Sequence, residues 1–402
     1  MRVNREMAAL GNVRSVIRET FEYGNRRAAE IGRDRVFDFS LGNPNVPAPD
    51  ALERELVRLA ETEDPVLLHG YTSAQGDAGT RKMIAEDLRG RFGIRAEADD
   101  LYLTCGAAAA LAIVCKALTD PSAGDEFVVI APYFPEYRVF AEAAGAVLSV
   151  VPPDTDTFGI SFPELEKRIT AQTKAVLINF PNNPSGAVLS EEDIQTLADL
   201  LEKRSEAFGH PIYLVSDEPY RELVYDDSRP APFPAKAYRN TIVCYSFSKS
   251  LSIPGERLGY VFIRPEAADH DELYAAVCGA GRALGYVCAP SMMQKAIRAL
   301  LHEKTDIGFY RANRDLLLSS LRSFGFTCVT PEGAFYLFMK SPDPDANAFC
   351  LKAREYELLL VPADSFGCPG CVRIAYCVKH EMIRASLPAF RKLAERYGLI
   401  GG

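Results

Sequence analysis

Lys249 stands in the run Cys244-Tyr245-Ser246-Phe247-Ser248-Lys249-Ser250-Leu251-Ser252-Ile253-Pro254-Gly255-Glu256-Arg257, where an apolar strand-like stretch delivers a lone ammonium into a hydroxyl-rich turn, eight residues before an arginine. A lysine becomes a useful amine nucleophile where its surroundings favour the neutral or imine form. Ser246 and Arg257 would hold a dianionic phosphate, the hydroxyl by donation and the guanidinium by its permanent forked charge. An amine that condenses with an aldehyde, set beside a phosphate site, is what pyridoxal phosphate needs. On this segment alone, a solvated turn with ordinary charges is the plainer reading.

Two segments upstream change that balance. Leu214-Val215-Ser216-Asp217-Glu218-Pro219-Tyr220 is an apolar strand whose end presents a carboxylate, a proline and a phenol. In open α/β sheets, carboxyl ends of strands face the ligand crevice. A carboxylate on the pyridine nitrogen keeps it protonated and makes the ring an electron sink, and Tyr220 would donate to the ring's phenolic oxygen. Neighbours on an extended chain point to opposite faces, so only one of Asp217 and Glu218 can face the ring. Ala175-Val176-Leu177-Ile178-Asn179-Phe180 is a buried-strand pattern running into Pro181-Asn182-Asn183-Pro184-Ser185-Gly186. An amide beside proline is ordinarily a turn; here it would be a second donor to the phenolic oxygen.

Taken together, Asn183-Pro184-Ser185-Gly186, Asp217-x-x-Tyr220, Ser246-x-x-Lys249 and Gly255-Glu256-Arg257 resemble the class I/II aminotransferases, the aspartate aminotransferase group of fold-type I pyridoxal-phosphate enzymes. They run in the family's order, and the likeness extends from Gly42 to Arg373. The resemblance implies that Lys249 condenses with the cofactor aldehyde and that Asp217 pairs with the pyridinium. Asn183 and Tyr220 would bind the phenolic oxygen, and Ser246 and Arg257 the phosphate. Gly106, Ala107 and Ala108, where a strand turns into a helix, match the phosphate-cradling turn; amides at a helix N-terminus suit an anion, although Ala108 lacks the hydroxyl that other members place there. Phe134 matches the ring that stacks on the cofactor, with Tyr133 and Tyr137 as competitors for that place. Arg373, in Val372-Arg373-Ile374-Ala375, matches the anchor of the substrate's α-carboxylate, with Gly42 and Asn183 beside it. Asn183-Pro184 is expected to be cis. Tyr71, in Gly70-Tyr71-Thr72-Ser73-Ala74-Gln75-Gly76, matches a tyrosine lent to the neighbouring subunit's phosphate, which implies a homodimer with shared active sites.

The elements that must position these groups alternate between strand-like and helix-like stretches. Apolar runs at 101–104, 126–131, 147–151, 174–180, 211–216, 241–246 and 258–263 are the signature of a mainly parallel sheet wrapped by helices. The fold class is α/β: a large cofactor-binding domain over 49–299 and a smaller α+β domain from both termini, 1–48 and 300–402. Its pieces are a helix from Val13 to Ile31, a strand near Val36–Phe39, a long amphipathic helix after Leu300, runs at Gly325–Val329 and Ala334–Met339, the Arg373 strand and a closing helix.

With 402 residues, 48% hydrophobic and 25% charged, the chain can bury a sizeable core. A net charge of −9 gives no electrostatic footprint for nucleic acid. No apolar stretch reaches membrane-spanning length and the Met1-Arg2-Val3 start lacks a signal-peptide core, so cytoplasmic residence is expected. The 10 cysteines are mostly dispersed in apolar segments like reduced core thiols; Cys368-Pro369-Gly370-Cys371, with Cys377 and His380 beyond, could be a zinc site or a redox pair, but there is no second close pair and the strand that follows has a better use in carrying Arg373. No metal is expected.

The expected reaction moves an amino group between an L-amino acid, aspartate or glutamate, and a 2-oxo acid such as 2-oxoglutarate. A dicarboxylic donor calls for a second arginine, and Arg282 is the nearest candidate. Aromatic or neutral donors, with Tyr286 and Tyr336 lining the pocket, are the alternative, as is a carbon-sulfur β-lyase sharing the same groups. A ligand sensor built on this fold would need a separate DNA-binding segment, which the acidic chain does not display.

Overall fold

A computed structural model describes residues 3–12 and 15–400; Met1, Arg2 and Val13 lie outside the described residues. Seven strands form the main sheet: β1 is the short Phe37–Asp38 strand outside it, and β2 Leu101–Thr104, β3 Glu126–Ile130, β4 Val147–Val151, β5 Thr173–Ile178, β6 Tyr213–Asp217, β7 Thr241–Ser246 and β8 Gly259–Ile263 make it up. Their order across the sheet is β2-β8-β7-β6-β5-β3-β4. All pairings are parallel except those of β8, which runs antiparallel to both β2 and β7.

The strands read as continuous apolar runs because both faces are covered. Val129, Leu177 and Val215 pack on one side with the helices Ala107–Leu118, Glu136–Ala144 and His270–Ala283. Val128, Val176 and Leu214, one residue out of phase, pack on the other with the helix Glu191–Phe208. That alternation aims the strand ends, not the strand faces, at the cofactor crevice.

The remaining strands are β9 Tyr336–Lys340, β10 Leu358–Leu359, β11 Val361–Pro362 and β12 Cys371–Ala375. β12 pairs antiparallel with β9 and β11, putting Arg373 opposite Phe338 and Val361. β1 pairs in parallel with β10, Phe37 opposite Leu358, so early and late parts of the chain are tied together. Phe39 shares one core with the helices Ile307–Ser323, Ala346–Arg354 and His380–Arg396. The helix Val16–Ile31 is capped by the Ser15 hydroxyl, and a shorter helix, Arg5–Asn12, precedes it. The run at Gly325–Val329 makes no strand, only the isolated bridge Cys328 to Met339; Gly325 sits at φ +83 to turn the chain out of the preceding helix, and Pro331 follows shortly.

Candidate active site

The carboxyl ends of β5, β6 and β7 open on a cavity of about 270 Å³. Gly42, Ala107, Ala108, Phe134, Asn183, Asp217, Tyr220, Ser246, Lys249, Arg257 and Arg373, drawn from across the sequence, all line it. Gly106 stands directly before Ala107.

Asp217 ends β6 and is 4% exposed. Tyr137 donates to its Oδ2 at 2.5 Å, and Asn179 Nδ2 donates to its backbone oxygen at 2.8 Å. Oδ1 is buried without a partner. Burial pushes this carboxyl up to about 7; the Tyr137 hydrogen bond opposes that and the neighbouring Glu218 charge reinforces it. A buried carboxylate with one empty acceptor is built for a cationic N–H donor, the chemistry of a pyridinium. Glu218 points the other way, into an ion pair with Arg221 at 2.5 Å, as strand alternation requires.

Lys249 follows on the short helix Phe247–Ser250, capped by Ser246. Its Nζ donates to the Gly42 carbonyl at 2.8 Å and lies 5.7 Å from the Phe335 ring centre. Burial lowers this amine to about 8; Cys377 opposes the shift and the charges of Arg257 and Arg373 add to it. It therefore reaches the neutral, nucleophilic form close to physiological pH. Beyond it, Arg257 donates to the carbonyls of Pro254 at 2.8 Å and Cys105 at 3.1 Å. Ser246 and Ser248 hydroxyls meet at 2.7 Å. Gly106, at φ +82, opens the helix Ala107–Leu118, and a Cβ there would come within 2.6 Å of Arg257 Nη2. Free helix amides, hydroxyls and a guanidinium thus form a cradle suited to a phosphate.

On the opposite side Arg373 is 2% exposed, its guanidinium donating to Asn183 Oδ1 at 3.2 Å and to the Ser40 carbonyl at 2.5 Å while Nε has no partner. The Tyr336 and Phe366 rings lie 4.9 and 5.1 Å from it. Asn183 receives a fixed orientation: its N–H donates to Asn179 Oδ1 at 2.9 Å, and the Asn183-Pro184 bond is cis. Tyr220 and Tyr336 share a hydrogen bond at 2.7 Å. Gly42 tolerates nothing larger, because an added Cβ would sit 2.0 Å from Tyr336 Oη.

The family model for aminotransferase class I and II matches residues 34–390. The chain belongs to this family. It is a pyridoxal-phosphate-dependent aminotransferase of the fold-type I architecture, and the orphan Asp217 Oδ1, the softened Lys249 amine and the Gly106–Arg257 cradle fit that cofactor. Among relatives, the aspartate/prephenate aminotransferase of Thermus thermophilus is 30% identical over 387 residues, covering 92% of this chain and 95% of its own. The aspartate aminotransferase of Thermotoga maritima is 30% identical over 377 residues, with the same shares. Among solved structures, an aminotransferase from Eubacterium rectale superposes with TM-score 0.96 at 57% identity over 99% of each chain. The Thermus thermophilus aspartate aminotransferase with maleate superposes at TM-score 0.84 and 26% identity, over 98% of this chain and 100% of that one.

Three residues singled out from the sequence stand apart from the aminotransferase cavity of their own chain: Tyr71, Arg282 and Tyr286, the last packed partly buried against the core of the main sheet while Tyr336 does line the cavity. Tyr71 is 87% exposed. Arg282 is exposed in the last turn of the helix His270–Ala283. Tyr137, Asn179 and Ile17 take part in the site in ways their sequence segments do not announce. Phe134 lines the cavity, and Tyr137, a competitor for the stacking place by sequence, meets it edge-on at 5.7 Å and donates to Asp217. Asn179, at the strand end already noted, secures both Asp217 and Asn183. Ile17, from the helix Val16–Ile31, also lines the cavity, and nothing in its segment signals that.

Proposed function

We propose that the enzyme transfers an amino group from aspartate or glutamate to a 2-oxo acid such as 2-oxoglutarate. The convergence of Lys249, Asp217 Oδ1 and Arg373 on one cavity carries the reading; the dicarboxylic donor is supported by the names of the Thermus and Thermotoga relatives. Pyridoxal phosphate, when bound, supplies the electron sink for negative charge at the substrate's α-carbon. Ser246, Arg257 and the amides of Ala107 and Ala108 after Gly106 would hold its phosphate. Asp217 would hold the proton on its ring nitrogen, Asn183 and Tyr220 would donate to its phenolic oxygen, and Phe134 would pack against its ring. Arg373 grips the substrate's α-carboxylate as a fork, with Gly42 closing the other side. Lys249 Nζ moves the proton at the α-carbon, a task matched by an amine that titrates near 8.

The protein acts in this reading as a cytoplasmic homodimer. The ten free cysteines suit a reducing compartment, and Tyr71, left in solvent by its own chain, would complete the partner's phosphate site. No helix among the described residues is long and apolar enough to cross a membrane.

A second reading, neutral or aromatic donors, is favoured by the lining itself: the cations among the described lining residues, Lys249, Arg257 and Arg373, all have other roles, while Ile17 and Leu41 are apolar. Specificity constants over a donor panel, with ammonia monitored and Arg282→Ala alongside, decide between them. Aspartate and glutamate should lead; neutral or aromatic donors ahead by tenfold, about 1.4 kcal/mol in transition-state binding, would overturn the dicarboxylate assignment and leave transamination standing.

A further inference from the structure

The Cys368-Pro369-Gly370-Cys371 turn is used by nothing in the reaction above. It connects the single turn Asp364–Phe366 to β12, with Cys368 N–H donating to the Ala363 carbonyl at 3.1 Å and Ala363 N–H to the Cys371 carbonyl at 2.9 Å. Both are free thiols, 1% and 3% exposed, and both pack in one small apolar cluster. Among the described residues no three His, Cys, Asp or Glu side chains are grouped to hold an ion. The tip of the turn, Pro369, is exposed, so a short local opening suffices to uncover the sulfurs.

Their position gives the pair its interest. Cys371 lies two residues before Arg373 on β12, hence on the same face of the strand. Phe366, whose ring lies 5.1 Å from the Arg373 guanidinium, packs in the same cluster as both cysteines. Anything that redraws this turn bears on the arginine through its strand and through its ring support.

We propose that Cys368 and Cys371 form a reversible dithiol–disulfide couple whose oxidation displaces Arg373 and weakens substrate binding. The proposal rests on Arg373 being the carboxylate anchor. The oxidant is a low-molecular-weight disulfide of the glutathione class. The Cys371 thiolate attacks one of its sulfurs, forming a mixed disulfide and expelling one small thiolate; Cys368, losing its proton, then attacks Cys371 Sγ and expels the second. The two protein thiol protons end on the two released thiols, the protein is oxidised by two electrons and the small disulfide reduced by two. Contact with Cys368 holds the Cys371 thiol below the usual range, which suits it to the first attack, and the same contact pushes Cys368 up.

The test equilibrates the holoenzyme in glutathione redox buffers of graded ratio, quenches with an alkylating reagent, and reads the 368–371 peptide by mass spectrometry beside KM and kcat. One intramolecular two-electron transition is expected, with KM for the amino donor rising about threefold to tenfold along it, kcat changing less and the bound-cofactor absorbance unchanged. The Cys368→Ser/Cys371→Ser double variant should keep the reduced enzyme's KM at every ratio. Both cysteines alkylated throughout, disulfides only between molecules, or a disulfide that leaves KM fixed would overturn the proposal. Arg373→Lys, assayed reduced, separates the two readings: if its KM is unaltered, the anchor assignment has failed, and the disulfide result is then read on the peptide alone.

Discussion

Replacing Asp217 by Asn should make the cofactor-free protein more stable at alkaline pH while crippling the enzyme. The folded chain lifts this buried carboxyl from 3.8 to about 7, so holding it ionised at pH 8 costs about 4 kcal/mol, at about 1.4 kcal/mol per pH unit. The sign follows from the direction of the shift: stability contributed by the neutral carboxyl is complete below pH 3.8, declines as pH rises through the window, and is gone above about 7. An asparagine carries no such penalty. Its carbonyl keeps the Tyr137 hydrogen bond, but its amide group falls where Oδ1 has no partner, at a cost of about 1–3 kcal/mol. The net gain is therefore about 2 kcal/mol at pH 8, and about zero at pH 5.5, where the wild-type penalty is itself only about 2 kcal/mol. Denaturant unfolding of both cofactor-free proteins at fixed concentration, followed by circular dichroism at the two pH values, reads this directly. Saturating cofactor should reverse the order, because Oδ1 then gains a cationic partner, and turnover of the variant should fall by about 10²-fold or more. An asparagine variant no more stable than wild type at pH 8, or one with the same gain at both pH values, would refute the reasoning.

Lys249→Ala should abolish multiple turnover while the cradle at Gly106 and Arg257 still retains cofactor, checked by absorbance after desalting; near-normal turnover would sink its assignment. Arg373→Lys loses the fork and its bonds to Asn183 and Ser40, and kcat/KM for the amino donor should drop about 10- to 100-fold, equivalent to about 1.4–2.8 kcal/mol, with cofactor affinity unchanged by titration. Gly106→Ala forces a Cβ at φ +82 against Arg257, a backbone cost of about 1–2 kcal/mol, and the cofactor dissociation constant should rise at least tenfold; unchanged affinity would remove Gly106 from the cradle.

The sheet was legible because strands covered on both faces leave unbroken apolar runs, and the seven expected runs match β2 to β8 within a few residues. The period of two along a strand showed that only one of Asp217 and Glu218 can face the crevice; the choice of Asp217, like the roles of Lys249 and Arg257, came from the resemblance of the whole motif set. What stayed hidden depends on segments far apart in the chain meeting in space. The Tyr137 donor to Asp217 crosses 80 positions, and the Gly42 carbonyl meets Lys249 across 207. Such single polar contacts leave no periodic trace. The run at 325–329 pairs only through the isolated bridge of Cys328 with Met339, because Gly325 and Pro331 near its borders favour turns.

The pairing of β1 with β10 and the place of β8 between β2 and β7 also set an order of events during synthesis. The main sheet can close once residue 263 has emerged, which brings Asp217, Lys249 and Arg257 together. Arg373 is still 110 residues away, about 5–22 s of translation at ribosomal rates of roughly 5–20 residues per second. Until then the segment carrying Gly42 has no β10 to lie beside. The nascent chain therefore passes through an interval in which the phosphate cradle exists and the substrate clamp does not, so a free cofactor could meet its lysine before any amino acid can be held there.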